Sequence, residues 1–258
     1  MLCVISPAKS LDFTTPAPIT AYTLPTLLNM SQPLIDRLRD YTPAEIGALM
    51  KVSDTLATLN ATRYTQWQTP FELGDDEHPA KHALFAFTGD VYTGMNATDF
   101  SEEELARAQQ QLRILSGLYG VLRPLDLMMP YRLEMGTRLP TSAGNTLYDY
   151  WGTVITDTLQ QAMQDAATDV LVNLASNEYF KAVDVQRLKA RIITPVFKDE
   201  KNGQLKIISF HAKKARGAMA AWIIRQGIKR PEQLQKFDGM GYQFSEAHSS
   251  NDTWVFTR

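Results

Sequence analysis

Cysteine occurs once in the 258 residues, at Cys3, and histidine four times. A lone thiol closes no internal disulfide, which fits a reducing compartment. His78 and His82 stand four apart, but Pro79 and the apolar run that follows argue against a helix offering both to one ion, and His211 and His248 are isolated, so neither a metal nor a cofactor is expected. No stretch reaches the ~18–20 apolar residues that cross a bilayer. The opening MLCVISPAKSLDF has no basic n-region and reads as a strand, not a signal peptide, so a cytosolic protein with no membrane partner is expected. The GxSxG elbow, the Walker A loop and the GxGxxG fingerprint are all missing, which excludes the commonest hydrolase and nucleotide-binding signatures. Repeats, low-complexity tracts and linkers are missing too, and residues 1–258 read as one domain.

What the chain does hold is an ordinary globular composition, 44% hydrophobic and 21% charged, enough to bury a sizeable core. Lys and Arg total 26 against 28 Asp and Glu, a formal charge of -2. That balance is uneven along the chain: residues 1–129 carry 9 basic and 15 acidic side chains, residues 130–258 carry 17 and 13. Net charges of -6 and +4 follow, so any contact with a polyanion is expected in the second half.

The hydrophobic pattern predicts a mixed α/β fold, a central mixed sheet with helices on its faces. Residues 1–6 read as a buried strand and 12–25, with Pro16, Pro18 and Pro25, as an extended surface arm. Helices are predicted at about 26–40, 43–50 and 53–67, and ALFAFTG (83–89) as a strand. Ser101 and Glu104 form a capping box ahead of a helix whose apolar face runs through Leu105, Ala108, Leu112 and Leu115. Residues 147–165 look helical and VLVNLAS (170–176) an inner strand. RIITPVF and LKIISF flank a turn at Lys201, Asn202 and Gly203, a last helix starts near His211, and the C-terminal YQF and TWVFTR read as a closing hairpin.

Six segments carry chemistry. In ISFHAKKARGAMAAWIIRQG a strand runs into a helix that packs through Ala212, Ala215, Met219, Trp222 and Ile223 and sets Lys213 and Lys214 in its first turn. Cations there oppose the helix dipole at about 0.3–1 kcal/mol each, a conflict that an anion held by backbone N–H groups, Lys213, Lys214 and Arg216 would remove. Between positions 198 and 230, nine cations face only Asp199 and Glu200. RQGIKRPEQLQKF also has the layout helix, turn, helix, in which turn amides can meet a DNA backbone. LRILSGLYGVLRPLDLMMPYRLEMG (112–136) holds Gly117 and Gly120, then Arg123, Asp126, Tyr131, Arg132 and Glu134. Either a strand leaves the sheet there through a glycine-rich turn, which Pro124 favours, or LYG is the hairpin of a helix-hairpin-helix. Strand ends supply Ser6, Lys9 and Asp12, and later Asn177, Glu178 and Lys181, where open α/β sheets place ligands. GDVYTG (89–94) puts Asp90 and Tyr92 in a turn between glycines.

Taken together, ISPAKSLD, GDVYTG, the 112–136 segment, LASNEYFK, PVFKDEKNG and SFHAKKARG closely resemble the YaaA family of bacterial peroxide-stress proteins, from Met1 nearly to the C-terminus. The resemblance implies a cytosolic protein that helps limit intracellular free iron and oxidative DNA damage under hydrogen peroxide. It also implies binding of duplex DNA in a basic cleft, a helix-hairpin-helix element and some likeness to DNA glycosylases. Lys9, Arg123, Arg132, Lys181, Lys213, Lys214 and Arg216 are then expected to line one cleft. A glycosylase-like or nucleotide-processing enzyme is the alternative, with Lys9 or Lys181 as Schiff-base nucleophile and Asp126 or Asp90 as its carboxylate partner.

Overall fold

The computed structural model describes residues 1–75 and 77–258. Its centre is an eight-stranded mixed sheet. In chain order the strands are β1 (Leu2–Ile5), β2 (Leu112–Ser116), β3 (Gly120–Leu122), β4 (Val170–Leu174), β5 (Arg191–Lys201), β6 (Gln204–Lys206), β7 (Gln243–Phe244) and β8 (Thr253–Thr257). Across the sheet they run β7-β8-β5-β4-β1-β2-β3, with β6 paired to β5. The β8-β5-β4-β1-β2 stretch is parallel, and β3, β6 and β7 are antiparallel additions. Helices lie on both faces: α1 (Leu28–Arg39), α2 (Pro43–Met50), α3 (Asp54–Gln66), α4 (Asp90–Met95), α5 (Glu102–Gln111), α6 (Val154–Asp165) and α7 (Ser209–Arg225).

A parallel strand covered on both faces needs apolar residues throughout rather than alternation. β1 (LCVI) meets that need and β4 (VLVNL) does so at all positions but Asn173, every residue of both being buried. Each buried Leu, Val or Ile there contributes roughly 1.5–3 kcal/mol over its exposed state. Register is fixed at the centre, where Cys3 stands opposite Leu112 on one side and Val172 on the other. β1 is followed in the chain by a neighbour on one side, and β4 then joins on the other. The strand order therefore reverses between β1 and β4, and the carboxyl ends of these two strands open the crevice where such sheets place ligands.

Several sequence expectations hold: the N-terminal strand, the first three helices, the C-terminal hairpin, and the capping box, in which the Ser101 Oγ accepts from Glu104 N at 3.2 Å and Glu104 Oε2 accepts from Ser101 N at 2.8 Å. Others are corrected. The capped helix stops at Gln111, because pairing with β1 draws Leu112 into β2 and pairing with Val121 of β3 holds Leu115 there. ALFA is a buried helical turn (Ala83–Ala86) and only Phe87–Thr88 is strand, a short apolar run being satisfied equally by either form. GDVYTG is not a turn, since Asp90–Met95 is helical. α7 opens at Ser209, so Lys213 and Lys214 lie beyond its first turn. Residues 112–122 form a β-hairpin, with Gly120 at φ 66° closing it against the Trp151 ring. After α7 the chain turns at Gly227 into a 3-10 helix, Pro231–Lys236. Among the described residues no helix is long and apolar enough to cross a membrane.

Candidate functional site

At the carboxyl ends of β1 and β4 lies a cleft of about 700 Å³. Its walls come from Ser6–Ser10, Thr88–Tyr92 and Ser176–Tyr179, and from Lys213 and Arg216 of α7. Short hydrogen bonds hold the wall segments together. Ser176 N donates to Ser6 Oγ at 2.9 Å, and the Tyr92 hydroxyl donates to Ser6 O at 3.1 Å. Burial raises the Tyr92 phenol well above its ordinary pKa, so it stays a neutral donor.

The cationic wall is set by a close helix crossing. A Cβ on Gly217 would fall 1.8 Å from Val91 O, and one on Gly94 would fall 2.0 Å from Lys214 O. Only glycine at both positions lets α4 and α7 touch backbone to backbone. Ala212, Ala215, Met219 and Ile223 bury the remainder of α7 as the sequence predicts. The helix is thereby clamped, and Lys213 and Arg216, one turn apart, face the cleft together.

The charges around the cleft divide into paired and unpaired. Lys9 Nζ lies 2.7 Å from Glu134 Oε2, and Arg132 Nη2 is 3.2 Å from Glu134 Oε1, so one carboxylate holds two cations. Glu178 accepts from Gly136 N at 2.9 Å. Lys213, Arg216 and Asp90, by contrast, have no ion-pair partner within 4.0 Å among the described residues. Arg216 is half-buried, and burial is what pulls its guanidinium below the ordinary arginine pKa. A partly desolvated guanidinium without an ion-pair partner gains a charge-assisted hydrogen bond when an anion reaches it.

The seven expected cations do not all converge. Lys9, Lys213 and Arg216 line the cleft, and Arg132 backs it through Glu134. The Lys181 ammonium sits 4.9 Å over the Tyr148 ring, whose hydroxyl donates to Glu178 O. Lys214 turns away, its backbone occupied by Gly94. Arg123 lies at the opposite edge of the sheet, because β3 runs back antiparallel and delivers it beside Arg113 and Thr168. It is locked there by Asp126, with Nε to Oδ1 at 3.0 Å and Nη2 to Oδ1 at 2.9 Å. Asp126 is therefore no partner for Lys9 or Lys181. Asp12 leaves the cleft as well, accepting from Thr14 N and Thr15 N and pairing with Lys81 at 3.5 Å. Glu134 stands outside the expected cation set yet governs Lys9; its signal in the sequence is an acid placed two residues after Arg132 in a site-bearing loop.

The nine cations of 198–230 are spread as well. Arg225 covers the Phe100 ring at 5.2 Å and Lys229 belongs to the opposite edge. Their two acids behave differently from each other. Asp199 is buried under Arg258, Tyr242 and His211, at 2.6, 2.8 and 3.1 Å, and anchors the start of α7. Among the described residues no cluster of three or more His, Cys, Asp or Glu is placed to hold a metal, and His82 is buried with its Nε2 3.0 Å from Ala21 O.

Comparison with known proteins supplies the remaining finding. Residues 1–248 match the family described as peroxide stress protein YaaA. Proteins named UPF0246 from Shewanella loihica, Aliivibrio fischeri and Alcanivorax borkumensis are 54%, 55% and 55% identical over 258 residues, covering all of this chain and 98% of each relative.

Proposed function

The chain belongs to the peroxide stress protein YaaA family and serves the response to peroxide stress; from that premise we propose that it binds duplex DNA at the cleft between β1 and β4. In this reading the cytosolic protein protects DNA and helps to limit free iron, as its sequence resemblance implies. The observation that carries it is the Lys213–Arg216 pair: two cations without ion-pair partners among the described residues, on a helix clamped by its glycine crossing, facing a cleft at the topological switch point. Lys9 adds a third cation that is 63% exposed and exchangeable from Glu134. Such a set neutralises backbone phosphates without reading bases, so it gives general rather than sequence-specific binding.

Covalent lysine chemistry is the weaker reading. A Schiff-base nucleophile must be a free amine. Lys9 is engaged by a carboxylate and Lys181 by an aromatic face, both of which are contacts made by an ammonium.

Titrating a labelled duplex at 50 and 200 mM salt tests the proposal. With Lys9 held by Glu134, the two contacts of Lys213 and Arg216 predict a log–log slope near -1.8, or about a twelvefold loss between the two salts. K213A with R216A should remove most of that slope. A salt-independent affinity, or an unchanged slope in the double variant, rejects the reading.

A further inference from the structure

Two free cations that merely decorated a DNA-facing surface would sit on an open face, whereas these two stand inside a bounded cleft with acids on its other walls. Asp90, Glu134 and Glu178 all border it. A strand threading through would press its flanking phosphates against those carboxylates. A strand that ends inside would bring in one phosphate only.

The charge count points the same way. A phosphodiester in mid-strand carries one negative charge and continues as an ester on both sides. A terminal phosphomonoester carries about -1.5 to -2 and offers three acceptor oxygens. Lys213 and Arg216, one helical turn apart, match that dianion, and a half-buried guanidinium is reached more easily by an end than by an unbroken chain. The volume of about 700 Å³ is that of a small-molecule site, suited to one terminal nucleotide of a duplex rather than to its full width.

We propose that the Lys213–Arg216 pair is a seat for the terminal phosphate of a broken DNA strand. This rests on the DNA-binding reading and narrows it. Fluorescence anisotropy on the full chain would compare one hairpin duplex carrying a 5′-phosphate, a 3′-phosphate or only hydroxyl ends with a closed dumbbell of the same sequence.

One phosphorylated end should bind at least about tenfold tighter than the hydroxyl end, as expected for charge-assisted hydrogen bonds to a dianion. R216Q should shrink that ratio to below about twofold, and R216K, which keeps the charge but loses the fork, to an intermediate value. Circular dichroism would confirm that both variants fold. Equal affinity for phosphate and hydroxyl ends overturns the inference while the dumbbell still reports DNA binding. Failure of every duplex, dumbbell included, sinks the underlying reading and this one with it. Competition by thymidine 5′-monophosphate or inorganic phosphate as effective as by the phosphorylated hairpin would overturn the strand-end assignment in favour of a free phosphomonoester.

Discussion

Glu134 is the most informative residue to change, because it holds Lys9 and Arg132 without touching the Lys213–Arg216 wall. E134Q keeps the shape and the acceptor oxygen and removes one negative charge from the cleft border. Little stability is at stake, since Lys9 is 63% exposed and such pairs contribute only about 0–1 kcal/mol. The effect on a polyanion is larger. Lys9 becomes free to neutralise one more phosphate, which steepens the log–log salt slope by about 0.9. Referred to 1 M salt, that is roughly fourfold tighter binding at 0.2 M, about 0.9 kcal/mol, and roughly fifteenfold at 0.05 M. The assay is the anisotropy titration over four salt concentrations, wild type beside E134Q. A slope that is unchanged or shallower would show that Lys9 never meets a phosphate. Loss of binding would show that Glu134 itself contacts the ligand. Either result refutes the latch.

Gly217→Ala places a Cβ 1.8 Å from Val91 O, where only backbone could yield; the clash should cost about 3 kcal/mol or more, lowering the melting temperature by about 6–12 °C. A melt within about 1 °C of wild type would mean that the α4–α7 crossing is looser than described. Cys3 is buried and burial pushes its thiol up to about 12, so it should resist both a thiol reagent and hydrogen peroxide until the chain is denatured. Labelling of the native protein at the rate of an exposed thiol would contradict that burial. Asp199→Asn tests the anchor at the start of α7: burial pushes this carboxyl up, but hydrogen bonds from Arg258 and Tyr242 outweigh it and hold it below the usual range. A depressed folded pKa contributes stability above the unfolded value of about 3.9 that is lost as pH falls through the folded one. Wild type should therefore exceed D199N by about 1.5–3 kcal/mol at pH 7, as expected for hydrogen bonds to a charged group, with the gap narrowing below about pH 4; a gap independent of pH from 7 to 3 would refute the charge network.

Much of the fold is legible because its signals are local. β1 announces itself as an unbroken apolar run and β4 as one interrupted only by Asn173, and the Ser101–Glu104 box marks a helix start to the residue. The failures share one cause, long-range pairing that overrides a local pattern. Leu112 and Leu115 continue a helical spacing perfectly well, and only β1 beside the first and β3 beside the second make them strand. Asp90 and Tyr92 look like turn residues between two glycines, yet Gly94 is there for the Lys214 backbone more than 100 residues away. The site was half readable for the same reason. Strand-end logic finds Lys9, Asn177 and Glu178 because the chain leaves the sheet there. It misplaces Arg123, since whether a hairpin returns its last residue to one edge of the sheet or the other depends on pairing direction, which composition does not encode.

The cleft's mixed charge is therefore better understood as selection than as a weak version of a basic patch. A purely basic groove binds any polyanion and slides along it. Here Glu134 already pairs with Lys9 and, through Nη2, with Arg132, and the two other cations lining the cleft are those whose helix cannot move, because Gly94 and Gly217 press it against its neighbour. A flexible lysine on a loop loses rotamer entropy when it meets an anion, roughly 0.5–1.5 kcal/mol per side chain. A half-buried arginine on a clamped helix has given up part of that freedom on folding, so more of its attraction appears as affinity. The acids then set how many phosphates are admitted and the fixed pair sets where the admitted one sits. That division of labour requires the clamp, and loosening it through Gly217 should weaken phosphate binding even where every charged side chain is left in place.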